Sequence, residues 1–320
     1  MIRSKPSHRQ ATGYALISVL WLVALLSVIA TGLAYASRQH ILTVSSVVSG
    51  TKARYVADGA AQLVLANLLS QIETDRLLAD GETVELTLPG GVVEITVYDE
   101  YGKIDLNGAS TSLLARFLYS LDVDPADADA LADAIADYRD EDDLKHLNGA
   151  EDEDYIKADL AWESKDSKLA SVDELRRVYG MTEQVFEVMR PHVTVHTGKR
   201  GINPEVASLQ VLMAISDDSV QSLEYYIEQR RLNHRDGLPL PPAPHVQRQY
   251  LLKRRGTVYT VQARGKSEAG IEAGTTTTFS LRRSQSRPQI NTLDWQPYVR
   301  AEITLASAHD NVGDRTGMEE

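Results

Sequence analysis

The chain has 320 residues, 43% of them apolar, and a formal net charge of -12. This apolar fraction can fill a sizeable core, so the composition excludes a wholly disordered chain. The acidic balance disfavours a nucleic-acid partner, because phosphate is bound mainly by clustered lysine and arginine. The sequence contains no cysteine, which excludes disulfides, thiolate nucleophiles and cysteine-ligated metal sites.

The first predicted element is an apolar helix. The stretch from Tyr14 to Ala36 has no formal charge, and at ~1.5 Å per residue it spans roughly 34 Å, enough to cross a bilayer core. Basic residues without an acidic one precede it, which favours a cytoplasmic leader. Ala34-Tyr35-Ala36 also has the small-x-small pattern of a secretory cleavage site, so pattern alone leaves open an anchor or a removable signal.

Helical spacing of apolar residues continues beyond the apolar run to about Ile72. We therefore expect one long helix, half of it in lipid and half lying on a soluble domain. Gly50 and Gly59 are the predicted softer points of this helix.

The remaining chain alternates between β and helical patterns. Residues 82–88 and 92–100 predict a hairpin across a Pro-Gly-Gly turn, and the proline-rich segment 236–245 predicts a linker. Strands are predicted again near residues 257–263 and 276–283. Between hairpin and linker, helices are predicted at residues 112–121, 125–138, 172–179, 182–190, 204–215 and 219–231.

The N-terminal segment "GYALISVLWLVALLSV", behind its basic leader, resembles the start of type IV pilins and pseudopilins. The resemblance implies cleavage by prepilin peptidase between Gly13 and Tyr14, with N-methylation of Tyr14. Most members of that superfamily have a glutamate at the fifth position after the cut, where this chain has Ser18. The K-type minor pseudopilin of type II secretion lacks that glutamate and typically reads "ALL-VLW", close to "ALISVLW" here.

Internal blocks support the resemblance to the K-type family: "GKIDLN", "DYRDEDD", "NGAEDEDY", "LASVDELRRVYGM" and "INPEVAS". Two positions depart from the family pattern, since Tyr138 stands where tryptophan is usual and "NPEVA" stands where "NVNTA" is closer to the norm.

The resemblance implies an α+β, type IV pilin-like fold with a large inserted helical domain. The implied divisions are a leader (1–13), a transmembrane helix (14–36), a first pilin-like part (37–105), an inserted helical domain (106–246), returning strands (247–298) and a flexible tail (299–320).

The implied function is that of a non-enzymatic subunit. With minor pseudopilins of the I and J types it would form the tip complex that initiates and caps the periplasmic pseudopilus. It would cross the inner membrane once, with its bulk in the periplasm, and could contact exported proteins or the outer-membrane channel.

Negative charge is concentrated between Asp122 and Asp159, where fifteen acidic residues stand against three basic ones. Outside the cytoplasm calcium commonly neutralises such density, because it takes six to eight oxygen ligands in flexible geometry. Asp140, Asp142 and Glu151 fall at places 1, 3 and 12 of a helix-loop calcium pattern, but Leu144 and Lys145 break it at places 5 and 6. The sequence pattern alone favours calcium binding and a solvated acidic face equally.

The resemblance implies calcium in these acidic loops. The predicted ligands are Asp140, Asp142, Glu151 and Asp154, followed by Glu153 and Asp159.

Two other functions stay open on sequence. A pattern around Gly180 typical of helix-hairpin-helix or SAM-like units carries Arg176 and Arg177, which would suit a membrane-anchored DNA-uptake factor, although neighbouring acidic residues favour a packed hairpin. A secreted calcium-dependent hydrolase cut after Ala36 is the other, but no nucleophile or phosphate-loop motif supports it.

Two smaller features of the sequence are a pair of histidines and a basic cluster. His192 and His196 are expected to share a strand face, with a structural role favoured over zinc. The basic cluster at residues 248–256 predicts an exposed edge or a contact for acidic neighbours.

Overall fold

The computed structural model describes residues 14–70, 76–254, 256–283 and 288–297. The predicted leader with Gly13 and the predicted tail at 299–320 lie outside the described residues. The prediction of an α+β fold is confirmed, because one long N-terminal helix packs on an antiparallel sheet that carries a further group of helices.

Helix α1 runs from Tyr14 to Leu68 over 55 residues without interruption. Gly50 and Gly59, the predicted softer points, both lie inside continuous helix. Its N-terminal apolar stretch is long and apolar enough to cross a membrane, and none of the most apolar window is buried against protein.

The last part of α1 lies on the sheet through small side chains. Ala53, Ala57 and Ala60 are completely buried, and Val64 and Leu68 continue the same face. Their three- and four-residue spacing is that of one helix face. Alanines permit a close approach, which allows the helix backbone to lie directly on a strand.

The sheet has strand order β1-β2-β5-β6-β7, and every neighbouring pair is antiparallel. Its strands are β1 (Asp80–Leu88), β2 (Gly91–Asp99), β5 (Val258–Ser267), β6 (Glu272–Arg283) and β7 (Pro288–Pro297). Alternate side chains of β2 and β5 point to α1 and are buried, as period-two patterning requires: Val93, Ile95, Val97, Val261, Ala263. The hairpin prediction is confirmed.

Gly265 in β5 sets how closely α1 approaches the sheet. A Cβ at this position would lie 2.1 Å from the carbonyl oxygen of Ala53, far inside van der Waals contact. Glycine is thus required where the helix backbone crosses the strand.

Between β2 and β5 the chain leaves the sheet and forms a separate helical core, which we call the insertion. Its elements are β3 (Ile104–Asp105), α2 (Thr111–Ser120), α3 (Pro125–Arg139), α4 (Asp152–Lys157), α5 (Glu183–Met189), β4 (Val193–Thr194), α6 (Leu209–Ile215) and α7 (Val220–Arg235). Strands β3 and β4 pair in parallel. Leu114, Phe117, Ile135, Phe186 and Leu212 are completely buried at its centre.

Two helix predictions within the insertion need correction, and one helix was missed. Residues 172–177 form a 3-10 helix rather than an α-helix, and the helix predicted from Pro204 begins only at Leu209. Helix α4 was not predicted, because its six residues are almost all charged or polar and show no apolar periodicity.

The two ends of the insertion meet at the sheet. The Asp99 carboxylate accepts hydrogen bonds from the Tyr101 amide at 3.0 Å and the Gly256 amide at 2.9 Å. One side chain thereby ties the residues that leave β2 to those that enter β5.

Candidate functional site

The acidic loop after α3 folds back onto the end of that helix and forms a cluster of potential metal ligands. Ligand atoms of Asp137, Asp140 and His146 all lie within 4.8 Å of one another. Asp137 and Asp140 are three residues apart at the C-terminal end of α3, so both carboxylates project from one side of the helix.

Asp137 is the central residue of this cluster and was missed by the sequence analysis. It is completely buried, and its carboxylate oxygens accept the His146 amide at 3.2 and 3.3 Å and also contact the His146 ring. Its only signal in the sequence is its place within the acidic block "DYRDEDD". Its position in α3 is otherwise that of an ordinary residue on the buried helix face.

Gly149 allows the loop to close over Asp137. A Cβ at position 149 would lie 1.8 Å from Asp137 Oδ2. The loop backbone therefore packs directly on the carboxylate, and no larger residue fits at this position without displacement.

Two buried carboxylate oxygens in this region have no hydrogen-bond partner among the described residues, namely Asp140 Oδ1 and Glu151 Oε1. Burial, followed by the charges of Asp137 and Asp140, raises the pKa of Glu151 to about 7. Burial and the charges of Asp142 and Asp137 likewise raise the pKa of Asp140. An orphaned, mutually repelling group of carboxylates is the arrangement that a cation stabilises.

The other predicted ligands lie around this cluster with other partners. Asp142 accepts the amide of Leu144 at 3.0 Å. Asp154 accepts Lys145 Nζ at 2.8 Å and the Glu151 amide at 3.2 Å.

Glu153 and Asp159 are exposed, and Glu153 pairs with Lys157 at 3.1 Å. Of the six predicted ligands, Asp140 and Glu151 are thus the two whose buried oxygens the structure leaves available.

Of the two arginines proposed for phosphate contacts, Arg176 is engaged elsewhere, whereas Arg177 is exposed. Arg176 bonds to Asp173 at 2.9 Å, Glu183 at 2.7 Å and Glu187 at 3.0 Å. The turn at Gly180 joins the 3-10 helix to α5, so a helical hairpin is present, but its Arg176 is neutralised by three carboxylates.

The two histidines around β4 do not share a strand face, so that expectation was wrong. His192 ends a short 3-10 turn before β4, where its Nδ1 lies 2.9 Å from Ser208 Oγ and its ring packs edge-on against Phe117. Burial, with the charge of Lys103, lowers its pKa to about 4. His196 lies beyond the strand, and the backbone turns between them because β4 has only two residues.

One long helix, five antiparallel strands and an inserted helical domain define a protein of pilin-like α+β architecture. A chain of the crystal structure of the GspK-GspI-GspJ complex from enterotoxigenic Escherichia coli has the same fold, with a TM-score of 0.56 and 16% identity. The alignment covers 83% of this chain and all of that one.

Residues 99–198 match the family "Type II secretion system (T2SS), protein K", so the resemblance to the K-type family is confirmed. This segment covers the end of β2 and the insertion through β4, including the acidic cluster.

Curated relatives agree with this family. The chain is 29% identical to the type II secretion system protein K of Dickeya chrysanthemi over 127 residues, covering 38% of this chain and 35% of the relative. It is 26% identical to that of Klebsiella pneumoniae over 228 residues, covering 63% and 70%. A putative protein K of Escherichia coli strain K12 is 24% identical over 207 residues, covering 59% and 63%. The match thus spans about a third of the first relative and about two thirds of the others.

Proposed function

We propose that this chain is a non-enzymatic minor pseudopilin of type II secretion, which forms with other minor pseudopilins the complex that initiates and caps the periplasmic pseudopilus. The observation that carries the proposal is the division of α1. Its first part is an exposed apolar span, and its last part is packed on the sheet that bears a K-type insertion.

The long helix α1 would link the membrane directly to the sheet. About 23 residues cross the membrane, and the helix then continues into the sheet without a break, so the two parts move as one rod. Because α1 runs straight through Ala34 and Ala36, a secretory cut there would sever the middle of a helix. Retention as an anchor therefore accounts for the structure better than secretion does.

The proposed partners are pseudopilins of the I and J types, as in the complex of similar fold. Exposed apolar side chains follow the membrane-spanning part of α1 and offer a surface for neighbouring helices: Ile41, Val44, Val47, Tyr55. Co-purification of the full chain with I- and J-type proteins from the same source tests this. We expect Val44→Asp with Val47→Asp to reduce recovery of both partners, whereas Glu153→Ala on the insertion should not.

Processing offers a separate test of the anchor. The mature protein purified from membranes should begin at Tyr14 and carry one added methyl group, as determined by intact-mass measurement and N-terminal peptide sequencing. A mature N terminus at Ser37 would instead mean secretion and would contradict the proposal.

For the DNA-uptake alternative, one of the two arginines on the helical hairpin is already occupied, since Arg176 is held by three carboxylates. Duplex DNA should therefore bind the full chain no more tightly when Arg176 is present than after Arg176→Gln.

We also propose that the acidic cluster holds calcium. Asp137, Asp140 and Glu151 would supply carboxylate oxygens, the ligand type that calcium prefers, and the two orphaned oxygens fit this role. A bound calcium ion would supply positive charge that offsets their repulsion and fixes the loop between α3 and α4. His146 would hold Asp137 in place from the other side.

Calorimetric titration of the chelator-treated full chain in neutral detergent tests the calcium site. We expect binding heat with calcium and a rise in melting temperature. Zinc is the informative competitor, because the Asp-Asp-His group also suits it. Stabilisation by zinc but not by calcium would overturn the calcium assignment.

A further inference from the structure

An open cavity of about 520 Å³ lies on the insertion at the end of α3. Three segments line it, namely α3 at Tyr138, the loop of residues 158–171, and the 3-10 helix that follows this loop. The volume falls within the range of about 300–1,000 Å³ that is usual for small-molecule sites. We call this space the Trp162 cavity, after the one tryptophan in its wall.

The loop of residues 158–171 forms most of the wall and has no helix or strand of its own. Irregular loops of about 12–15 residues or more are uncommon in compact domains and are usually functional. This loop is fixed at two points. The Asn107 side chain accepts the Leu169 amide at 2.8 Å and donates to the Leu169 carbonyl at 2.9 Å, and the Ser164 amide donates to Asp152 at 2.9 Å. The wall is therefore in place before any ligand arrives.

Trp162 is held in this wall with its ring accessible. Its indole Nε1 donates to the Arg177 carbonyl at 2.8 Å, yet 41% of the residue remains exposed. An indole offers a large apolar surface at a low cost in conformational entropy, because few bonds must be fixed. A fixed tryptophan that lines an open cavity is thus suited to pack against the flat side of a ligand.

The opposite part of the lining is polar and already ordered. The Glu174 carboxylate pairs with Lys165 and accepts two backbone amides, at 3.0 and 3.2 Å. Burial raises the pKa of Glu174, but the hydrogen bonds and the charge of Lys165 outweigh it, so the pKa lies below its ordinary value. The cavity therefore contains an ionised carboxylate beside an ammonium group, and both face the same space.

The charges of the lining are nearly balanced. Glu174 is paired with Lys165, and Asp173 is paired with Arg176 at 2.9 Å. The two other charged residues of the lining, one glutamate and one arginine, have opposite signs. The cavity thus offers many hydrogen-bond donors and acceptors without a strong field of one sign, which disfavours a highly charged ligand.

From this lining we infer that the Trp162 cavity binds a neutral saccharide, a short chain of pyranose units. A pyranose ring has a side of C–H groups that packs on an indole, and a rim of hydroxyl groups that both donate and accept hydrogen bonds. Charged side chains next to the indole complement this rim, because hydrogen bonds to charged groups are stronger than neutral ones. A purely apolar ligand would cover the same groups and leave them unpaired, at a cost in free energy.

Calorimetric titration of the full chain with three tetrasaccharides tests the inference. The probes are chitotetraose, cellotetraose and maltotetraose, and the detergent is a polyoxyethylene ether, whose head group is not a sugar. We expect at least one probe to bind with a Kd of about 1 mM or lower. Absence of binding heat from all three at about 10 mM would overturn the inference.

Substitution of the tryptophan locates the binding. Trp162→Ala should weaken binding of that saccharide at least about tenfold, whereas Trp162→Phe, which keeps an aromatic ring, should lose less. The matched control Trp295→Ala removes an indole that is 46% exposed on β7 and should bind as the unmodified chain does. Equal weakening by Trp162→Ala and Trp295→Ala would contradict a site at this cavity.

A fluorescence measurement needs no change at the cavity itself. The chain has three tryptophans, so Trp21→Phe with Trp295→Phe leaves Trp162 as the one reporter. Its emission should change on addition of the saccharide, with the Kd found by calorimetry. Unchanged emission at saturation would place the ligand elsewhere and overturn the inference.

A cationic side chain is the competing occupant, since carboxylates and an indole can also hold an ammonium group. Binding of tetralysine, but of none of the saccharides, would assign the cavity to such a group and overturn the inference. The lining includes none of the proposed calcium ligands, and the measurement needs no partner pseudopilin. Failure here is therefore distinguishable from failure of the proposed function.

Discussion

Arg230 and Asp80 form a buried ion pair that joins the insertion to the first strand of the sheet. Nη2 and Nε of Arg230 lie 3.0 and 3.2 Å from Oδ2 of Asp80, and both side chains are essentially inaccessible to solvent. Arg231 donates to the same oxygen at 2.8 Å, and Arg230 also donates to the Pro204 carbonyl at 3.2 Å. One carboxylate thus ties α7 to β1 across 150 residues of sequence.

Removing this carboxylate should be strongly destabilising. In Asp80→Ala, Arg230 would stay buried without its counter-charge, and we expect a loss of about 3–5 kcal/mol in the free energy of unfolding. Urea unfolding followed by tryptophan fluorescence measures it, with Trp162 reporting on the insertion and Trp295 on the sheet. The control Glu153→Ala breaks an exposed pair and should cost less than about 1 kcal/mol. Similar losses in both variants would contradict the prediction.

The same pair predicts an acid dependence. Burial raises the pKa of Asp80, but the charges of Arg230 and Arg231 outweigh it, so the pKa lies below its ordinary value. Asp80 therefore contributes stability above about pH 4 and loses that contribution as the pH falls further. Asp80→Asn should show a smaller decrease in stability across this acid range than the unmodified chain.

His192 predicts a second pH dependence at milder acidity. Its pKa falls from 6.5 to about 4 on folding, so the unfolded chain takes up a proton between these values while the folded chain does not. Stability should therefore decrease as the pH falls from roughly 6.5 to 4, by up to about 3 kcal/mol. His192→Gln should flatten this part of the curve. His245→Gln, at a side chain that is 96% exposed, should leave it unchanged.

Glu151→Gln should have opposite effects with and without calcium. Without the ion, the substitution removes a buried charge that repels Asp137 and Asp140, so at pH 8 we expect stabilisation by about 1–3 kcal/mol. With calcium, the variant should lose most of the thermal stabilisation that the ion gives the unmodified chain. A variant that is destabilised without calcium would argue against an orphaned carboxylate.

Gly149→Ala tests the closed loop over Asp137. The added Cβ would overlap the carboxylate, so we expect a loss of about 1–3 kcal/mol and weaker metal binding. Gly59→Ala is the matched control, because its Cβ would meet nothing within 4 Å in mid-helix. That change should stabilise the chain by about 0.5–1 kcal/mol. Equal destabilisation by both changes would contradict the proposed overlap.

Local sequence patterns predicted most elements of the fold. Alternation in β1 and β2 around the Pro-Gly-Gly turn, and the apolar period of α1, predicted those elements because each depends on nearby residues. Strand β7 was not predicted separately, since it is an edge strand bounded by Pro288 and Pro297 with a mostly polar sequence. Its pairing with β6 comes from the tertiary fold.

The acidic site was only partly predictable for the same reason. Charge density located the loop, but Asp137 looks like an ordinary residue of the buried face of α3. It becomes a site residue only when the loop returns and places His146 and Gly149 against it. Lys145 also bonds to Asp154, nine residues further along the chain, and no local period encodes this contact.

The hydrogen bond from the Gly256 amide to the Asp99 carboxylate has an evolutionary consequence. Because the chain leaves and re-enters the sheet within one side chain's reach, and β2 pairs directly with β5, the strand register does not depend on what lies between. A sheet closed in this way tolerates replacement of its excursion by a short turn or by a different domain. The insertion can thus change in size and surface, or be replaced, while α1 and the sheet stay unchanged.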